Sequence, residues 1–199
     1  MRNNWVMAVL GVVLEVGMAA GEAAAFSASY DQKATQGRAV YASKVSVKNE
    51  FFRMETTMRG ESSLIIHNAE GTFTVMPSQG MAMKMSQLRP GQGAIQGADN
   101  YAQYLQRQHA EKTGSETIDG RACDIYRFTD SETGEVTTAW VATDIMFPIR
   151  LEVEGAEGKM LVELSNNQLG AAISDDAFQL PDGVQVMDMG AMMGGMGLR

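Results

Sequence analysis

Phe51-Phe52-Arg53-Met54-Glu55-Thr56-Thr57-Met58 decides the fold class. Phe52, Met54, Thr56 and Met58 alternate with Phe51, Arg53, Glu55 and Thr57. A β-strand turns successive side chains to opposite faces, so this period of two reads as a strand with one face buried and one wet. Met81, Met83 and Met85 alternate with Ala82, Lys84 and Ser86 in the same way. The pattern runs from Phe26 to about Ser86. Turn residues divide it at Gly60, at Asn68-Ala69-Glu70-Gly71 and at Pro77-Ser78-Gln79-Gly80. The short, regular spacing predicts hairpins in an antiparallel meander, not crossovers through helices.

Working outward, Arg89 to Gly97 is rich in Gly and Gln and reads as a loop. A helix is predicted from about Ala98 to Glu111, with Asp99 capping its start and Gly114 just past its end. Tyr101, Leu105 and either Tyr104 or Gln108 fall on one face. A single apolar stripe between two blocks of strands predicts a helix laid across the sheet. Strand patterns resume after Thr117. Cys123 to Phe128 and Val136 to Val141 flank a turn at Ser131-Glu132-Thr133-Gly134. Ile149, Leu151 and Val153 alternate with Arg150, Glu152 and Glu154, and Met160, Val162 and Leu164 follow the Gly155–Gly158 turn. Ser174 to Phe178 reads as a short capped turn, with Asp175-Asp176 as a helix cap and not an acid–base pair. No internal repeat is visible.

The amino-terminal residues have a different character. Arg2 precedes an apolar run from Trp5 to Leu14, too short to span a bilayer at about 20 residues per helix. Ala23, Ala24 and Ala25 follow, the small residues that signal peptidase reads. Residues 1–25 are therefore expected to be a cleaved export signal, although Glu15 interrupts the apolar run; an amphipathic helix of the folded domain is the alternative. The remaining residues, about 170, suit one domain at 26–186 and a Met/Gly-rich flexible tail at 187–199. No cysteine stands at the cleavage site and no later apolar run reaches membrane length. The mature chain is expected in the periplasm without a lipid or transmembrane anchor, as a monomer. With 16 Lys and Arg against 24 Asp and Glu, a net charge of -8, and no basic cluster, the sequence argues against nucleic acid and anionic lipid surfaces.

The passage from Asp175 to Val186, with Phe178, Leu180, Pro181, Gly183 and Val184, resembles the closing motif of the LolA-like superfamily. Ile118-Asp119-Gly120-Arg121-Ala122-Cys123-Asp124-Ile125-Tyr126, Ala139-Trp140-Val141-Ala142-Thr143-Asp144 and Pro148-Ile149-Arg150-Leu151 resemble a little-studied branch of it, a domain of unknown function and not the lipoprotein carrier itself. The sequence has little room for the helix that the carrier places before its first strand. The resemblance implies a mainly β fold with α: an open half-barrel of antiparallel strands under a helical lid. It also implies a role in lipoprotein sorting or in binding envelope lipids, since carriers of this superfamily hold acyl chains and relatives sense misfolded outer-membrane proteins.

The residues that would line such a cavity are Phe52, Met54, Met58, Met81, Met83 and Met85 on the strands and Tyr101 and Leu105 on the helix. Methionine is flexible and polarisable and suits ligands of varied shape; the plainer reading is that these side chains fill a core. In the tail, Met187, Met189, Met192, Met193 and Met196 offer soft sulfur to Cu(I). Glycine-rich spacing gives them no fixed geometry, so a loose tail is favoured, and a third reading folds the tail into the cavity as a surrogate ligand. Cys123, in a strand and without a partner cysteine, reads as a buried structural thiol. His67, at a strand end, and His109, on the helix, read as surface residues. No nucleophile elbow, Walker loop or dinucleotide fingerprint is present. The sequence therefore predicts a binding protein, not an enzyme, with no cofactor. Its ligand would be an apolar envelope molecule: an acyl chain, a lipid or a lipidated protein. A protein-interaction or envelope-sensing module without bound lipid is the alternative.

Overall fold

The computed structural model describes residues 26–58, 61–85, 98–130, 134–156 and 158–188. The expected export signal, the loop Arg89–Gly97 and the tail beyond Asp188 lie outside the described residues. Six strands precede the helix: β1 (Ser27–Gln36), β2 (Ala39–Lys48), β3 (Phe51–Met58), β4 (Glu61–Asn68), β5 (Gly71–Met76) and β6 (Met81–Met85). Helix α1 (Ala98–Arg107) follows. Then come β7 (Glu111–Ile118), β8 (Arg121–Thr129), β9 (Val136–Ala142), β10 (Phe147–Gly155), β11 (Gly158–Leu169) and β12 (Gln185–Asp188).

All twelve strands form one open sheet in the order β12-β6-β5-β4-β3-β2-β1-β11-β10-β9-β8-β7. Two hairpin meanders, β1–β6 and β7–β11, join where β1 pairs with β11. The hairpins are set by residues that tolerate a left-handed backbone: Asn49 (φ 53) turns β2 into β3, and Asp119 and Gly120 (φ 49 and 79) turn β7 into β8. The sheet departs from the expected wholly antiparallel pattern at one edge. β12 runs parallel to β6, with Met187 beside Met83. The reason is the route of the chain, which returns from β11 across the sheet and re-enters at its far edge. β12 also extends two residues past the expected domain limit at 186.

The helix is shorter than its sequence pattern suggests. It ends at Arg107, and Ala110 donates its N–H to the Leu105 carbonyl at 2.8 Å to close the last turn, with His109 in a left-handed conformation (φ 51). Glu111 already pairs with Arg127 across β7 and β8, and Gly114, the expected helix stop, lies inside β7. Ladder hydrogen bonds to β8 and the 2.7 Å Lys112–Asp124 ion pair claim residues whose local pattern is helical. Asp99 is the second residue of the helix, not its cap. No helix among the described residues is long and apolar enough to cross a membrane.

Facing positions in a ladder share a side of the sheet, which divides the interior into a front and a back. The front carries Tyr30, Val45, Val47, Phe52, Met54, Ala139, Leu151, Val162 and Leu164. These form one buried cluster with Tyr101, Tyr104 and Leu105 of α1. Tyr30 meets Phe147 edge-on at 5.6 Å and Tyr104 meets Phe128 at 5.6 Å, the geometry that aromatic quadrupoles favour. The back carries two smaller clusters, Leu64, Ile66, Phe73, Val75 and Ala82 at one end and Ile118, Cys123 and Ala142 at the other.

Candidate binding surface

The sequence places Phe52, Met54, Met58, Met81, Met83, Met85, Tyr101 and Leu105 around one cavity. The structure divides them. Phe52, Met54, Tyr101 and Leu105 come together as fully buried members of the front cluster, packed side chain on side chain under α1. Met58 is the last residue of β3. Met81, Met83 and Met85 face the same side of the sheet but lie outside that cluster, half-buried on β6.

Register shows what surrounds them. The Pro77–Gln79 turn, closed by Gly80 at φ 61, sets Met76 of β5 opposite Met81. Thr74 lies opposite Met83, and Thr72 opposite Met85. On the other side β12 sets Met187 beside Met83. Ile65 lies opposite Thr74, and His67 opposite Thr72. The front of β4, β5, β6 and β12 thus sets five thioethers beside Ile65, His67, Thr72 and Thr74, with Ser63 and Gln185 at its margins. Its methionines and Ile65 are all half-buried. Thr74 donates its hydroxyl to the Met85 sulfur at 3.3 Å, which draws that side chain back along β6 towards Met83.

Two of these methionines carry only a weak signal in the sequence. Met76 is out of phase with Phe73 and Val75 and so looks misplaced; in fact Phe73 and Val75 belong to the back cluster and Met76 to the front. Met187 looks like the first residue of a tail. Its signal is the alternation Gln185, Val186, Met187, Asp188, too brief to read before β12 is seen beside β6.

His67 is not the surface residue expected. Its ring stacks on Phe52 at 6.2 Å between centroids, and Nδ1 shares a 2.8 Å hydrogen bond with Thr72 Oγ1. Burial lowers its pKa from the usual histidine value, against a smaller upward pull from Glu50. His109 is exposed just beyond α1. Cys123 is buried, its thiol donating to the Arg121 carbonyl at 3.4 Å, and burial pushes its pKa up, so the thiolate is disfavoured. Beside the end of α1, a cleft of about 590 Å³ opens between Leu105, Gln106, His109, Tyr126 and Met146. Ligand pockets commonly span roughly 300–1,000 Å³. Within the packed region the Tyr101 hydroxyl is fully buried and has no hydrogen-bond partner among the described residues, and burial raises its pKa well above the usual tyrosine value.

The back of β3–β5 is closed by the carboxyl-terminal passage. The Ser174 side chain, not Asp175 or Asp176, caps the short turn Asp175–Phe178 by accepting from the Asp176 N–H. Lys48 grips Asp175 at 2.6 Å and the Ile173 carbonyl at 3.1 Å, and Arg53 donates to the Ala177 carbonyl. Asn68, buried, donates to the Phe178 carbonyl at 2.9 Å. Phe178 is 1% exposed, and Leu180 and Val184 cover Leu64, Ile66 and Phe73. The passage that resembles a closing motif therefore acts as a strap.

An open, almost wholly antiparallel sheet with one helix on its front agrees with the architecture that the sequence resemblance leads one to expect. More particularly, residues 29–148 match the model of a domain of unknown function, DUF4412, and the chain belongs to that family. No curated protein matches the sequence. Among solved structures, the chain is similar to an uncharacterized conserved protein from Thermus thermophilus, with a TM-score of 0.60 and 8% identity over 81% of this chain and 90% of that one. It is similar to a chain of the MucA/MucB complex of Pseudomonas aeruginosa, with a TM-score of 0.52 and 13% identity over 81% of this chain but only 58% of that one. A LolA superfamily protein from Nitrosomonas europaea aligns with a TM-score of 0.42 and 13% identity over 86% of this chain and 94% of that one. At these identities the likeness is one of fold.

Proposed function

We propose that this chain is an exported binding protein of the cell envelope that holds an apolar ligand, an acyl chain or a lipidated partner, on the front of its sheet. The observation that carries the reading is the half-buried row Ile65, Met76, Met81, Met83, Met85 and Met187, which continues the apolar front beyond the packed cluster. Covering each side chain fully would contribute about 1.5–3 kcal/mol at most, and thioethers adapt to varied shapes. In this reading the sheet curls as a half-barrel and α1 is its lid, with the 590 Å³ cleft opening beside the end of that helix. A ligand carbonyl reaching under α1 would give the Tyr101 hydroxyl the acceptor it lacks.

The test is fluorescent fatty-acyl probe binding, with native mass spectrometry of protein purified from an envelope. Ile65→Glu with Met83→Glu, which place charge on the apolar row, should abolish probe binding while the circular dichroism spectrum stays that of a β protein. Protein that is ligand-free and ignores acyl probes overturns the reading.

A second reading has its own observation. β12 is a four-residue edge strand whose outer side meets no other strand among the described residues, next to the methionine row. A partner strand added there would dock a protein instead of a lipid, and the P. aeruginosa relative of similar fold is a complex of two proteins. Crosslinking at Val186, which is half-exposed, distinguishes the two: one stoichiometric protein adduct favours this reading.

A further inference from the structure

We propose that the methionine row is also a thioether site for a soft monovalent cation, Cu(I), built on the sheet by Met83 and Met187 with Met81, Met85 and Met76 around them. This goes beyond the apolar-ligand reading and does not depend on it.

The register brings five sulfurs to one patch. Met187 and Met83 are direct neighbours across the β12–β6 pairing, and Met76 and Met81 across the β5–β6 pairing. Facing residues in a ladder stand about 4.5–5.5 Å apart at Cα, and residues two apart on one strand about 6.5 Å. Each methionine has three rotatable bonds beyond that, so several thioethers can converge on one ion without moving the backbone. Met85 is already drawn towards Met83 by its hydrogen bond from Thr74, which leaves its sulfur on the patch. All five side chains are half-buried, so they are reachable from solvent yet backed by protein.

The donor set selects the ion. Thioethers are neutral and soft, and they suit Cu(I) far better than Zn(II), Mg(II) or Ca(II), which want imidazole, thiolate or carboxylate. Among the described residues no three His, Cys, Asp or Glu side chains gather at any place where a metal could sit. The charged neighbours of the patch, Lys84 and Asp188, pair with each other in the register on alternate positions and so face the back of the sheet. The sheet also supplies what the tail sequence lacks. Met189, Met192, Met193 and Met196 are spaced by glycine, whereas Met83 and Met187 are held by a ladder.

The deciding experiment titrates Cu(I) into the intact purified protein under anaerobic, reducing conditions, in competition with bicinchoninate. The intact protein should withdraw Cu(I) from the chelator, and X-ray absorption should show a sulfur shell. Met83→Leu with Met187→Leu keeps size and apolarity while removing two sulfurs. It should weaken Cu(I) binding by about tenfold or more, since even changes outside the ligand shell cost that much. A second variant with Met189, Met192, Met193 and Met196 all changed to Leu should retain the affinity. If circular dichroism shows the first variant unfolded, Met81→Leu with Met85→Leu takes its place with the same expectation. Unchanged binding in the sheet variant, loss confined to the tail variant, or a nitrogen and oxygen shell overturns the proposal. Acyl-probe binding is measured separately on the unsubstituted protein, so failure of the metal site and failure of the apolar reading are told apart.

Discussion

The front of this sheet behaves as two regions made from similar side chains. Under α1, β1–β3 and β8–β11 contribute Tyr30, Val47, Phe52, Phe128, Ala139, Phe147, Leu151 and Val162, which interlock with Tyr101 and Tyr104 and exclude water. At the other end, β4–β6 and β12 present Ile65 and five methionines that stay half-buried. The difference lies in what covers them. The helix seals the first region, whereas the carboxyl-terminal strap seals only the back of the second. Apolar character is therefore not a measure of core: one stripe is filled, and a similar stripe farther along the same sheet stays half-buried.

The largest effects should separate the two regions by stability. Phe147→Ala removes a ring that is 0% exposed and should cost about 3–5 kcal/mol in denaturant unfolding. Met83→Ala, at a half-buried position, should cost about 1 kcal/mol or less, because little packing is lost there. Equal costs would break the comparison and make the methionine row ordinary core.

A smaller effect of opposite sign is expected at Tyr101. A buried hydroxyl without a partner leaves an uncompensated desolvation cost on the order of 1–3 kcal/mol. Tyr101→Phe should raise the stability of ligand-free protein by up to about 1 kcal/mol, measured by thermal or urea unfolding. A lower stability would show that the hydroxyl has an acceptor in the folded chain.

The smallest effect lies at the boundary between the regions, where His67 stacks on Phe52. Burial lowers its folded-state pKa below the usual 6.5, so the folded chain binds the proton less readily than the unfolded one. Its contribution is fully present above pH 6.5. It declines as pH falls below that value and levels off beneath the folded pKa. His67→Gln should flatten that part of the stability–pH curve. A wild-type curve that is level between pH 7 and 5, or one unchanged by the substitution, would place the imidazole in solvent.

Much of this was legible in the residues. Alternation in Phe51–Met58, Met81–Met85 and Ile149–Glu154 located strands, because the pleat forces a period of two wherever one face is apolar. The single stripe on Tyr101, Tyr104 and Leu105 located the helix and its buried face. The helix end was not legible. Ala110 to Gly114 has a plausible helical stop, and only the pairing of Glu111 with Arg127 converts it to strand. Nor was the sidedness of β5 legible: Phe73 and Val75 predict a core face, but the core they join is on the back, beneath Phe178 and Leu180.

The sequence by itself determined the mainly β character, the turns at Asn68–Gly71 and Pro77–Gly80, the position of the helix and the family resemblance. These depend on local periodicity and backbone preference, which neighbouring residues carry. Only the tertiary structure decided that β12 runs parallel beside β6, that Ser174–Val184 straps the back, and that Met187 meets Met83. Each of those joins residues about a hundred positions apart in the chain, and a ladder register between distant strands is fixed by packing of the whole sheet, not by any local pattern.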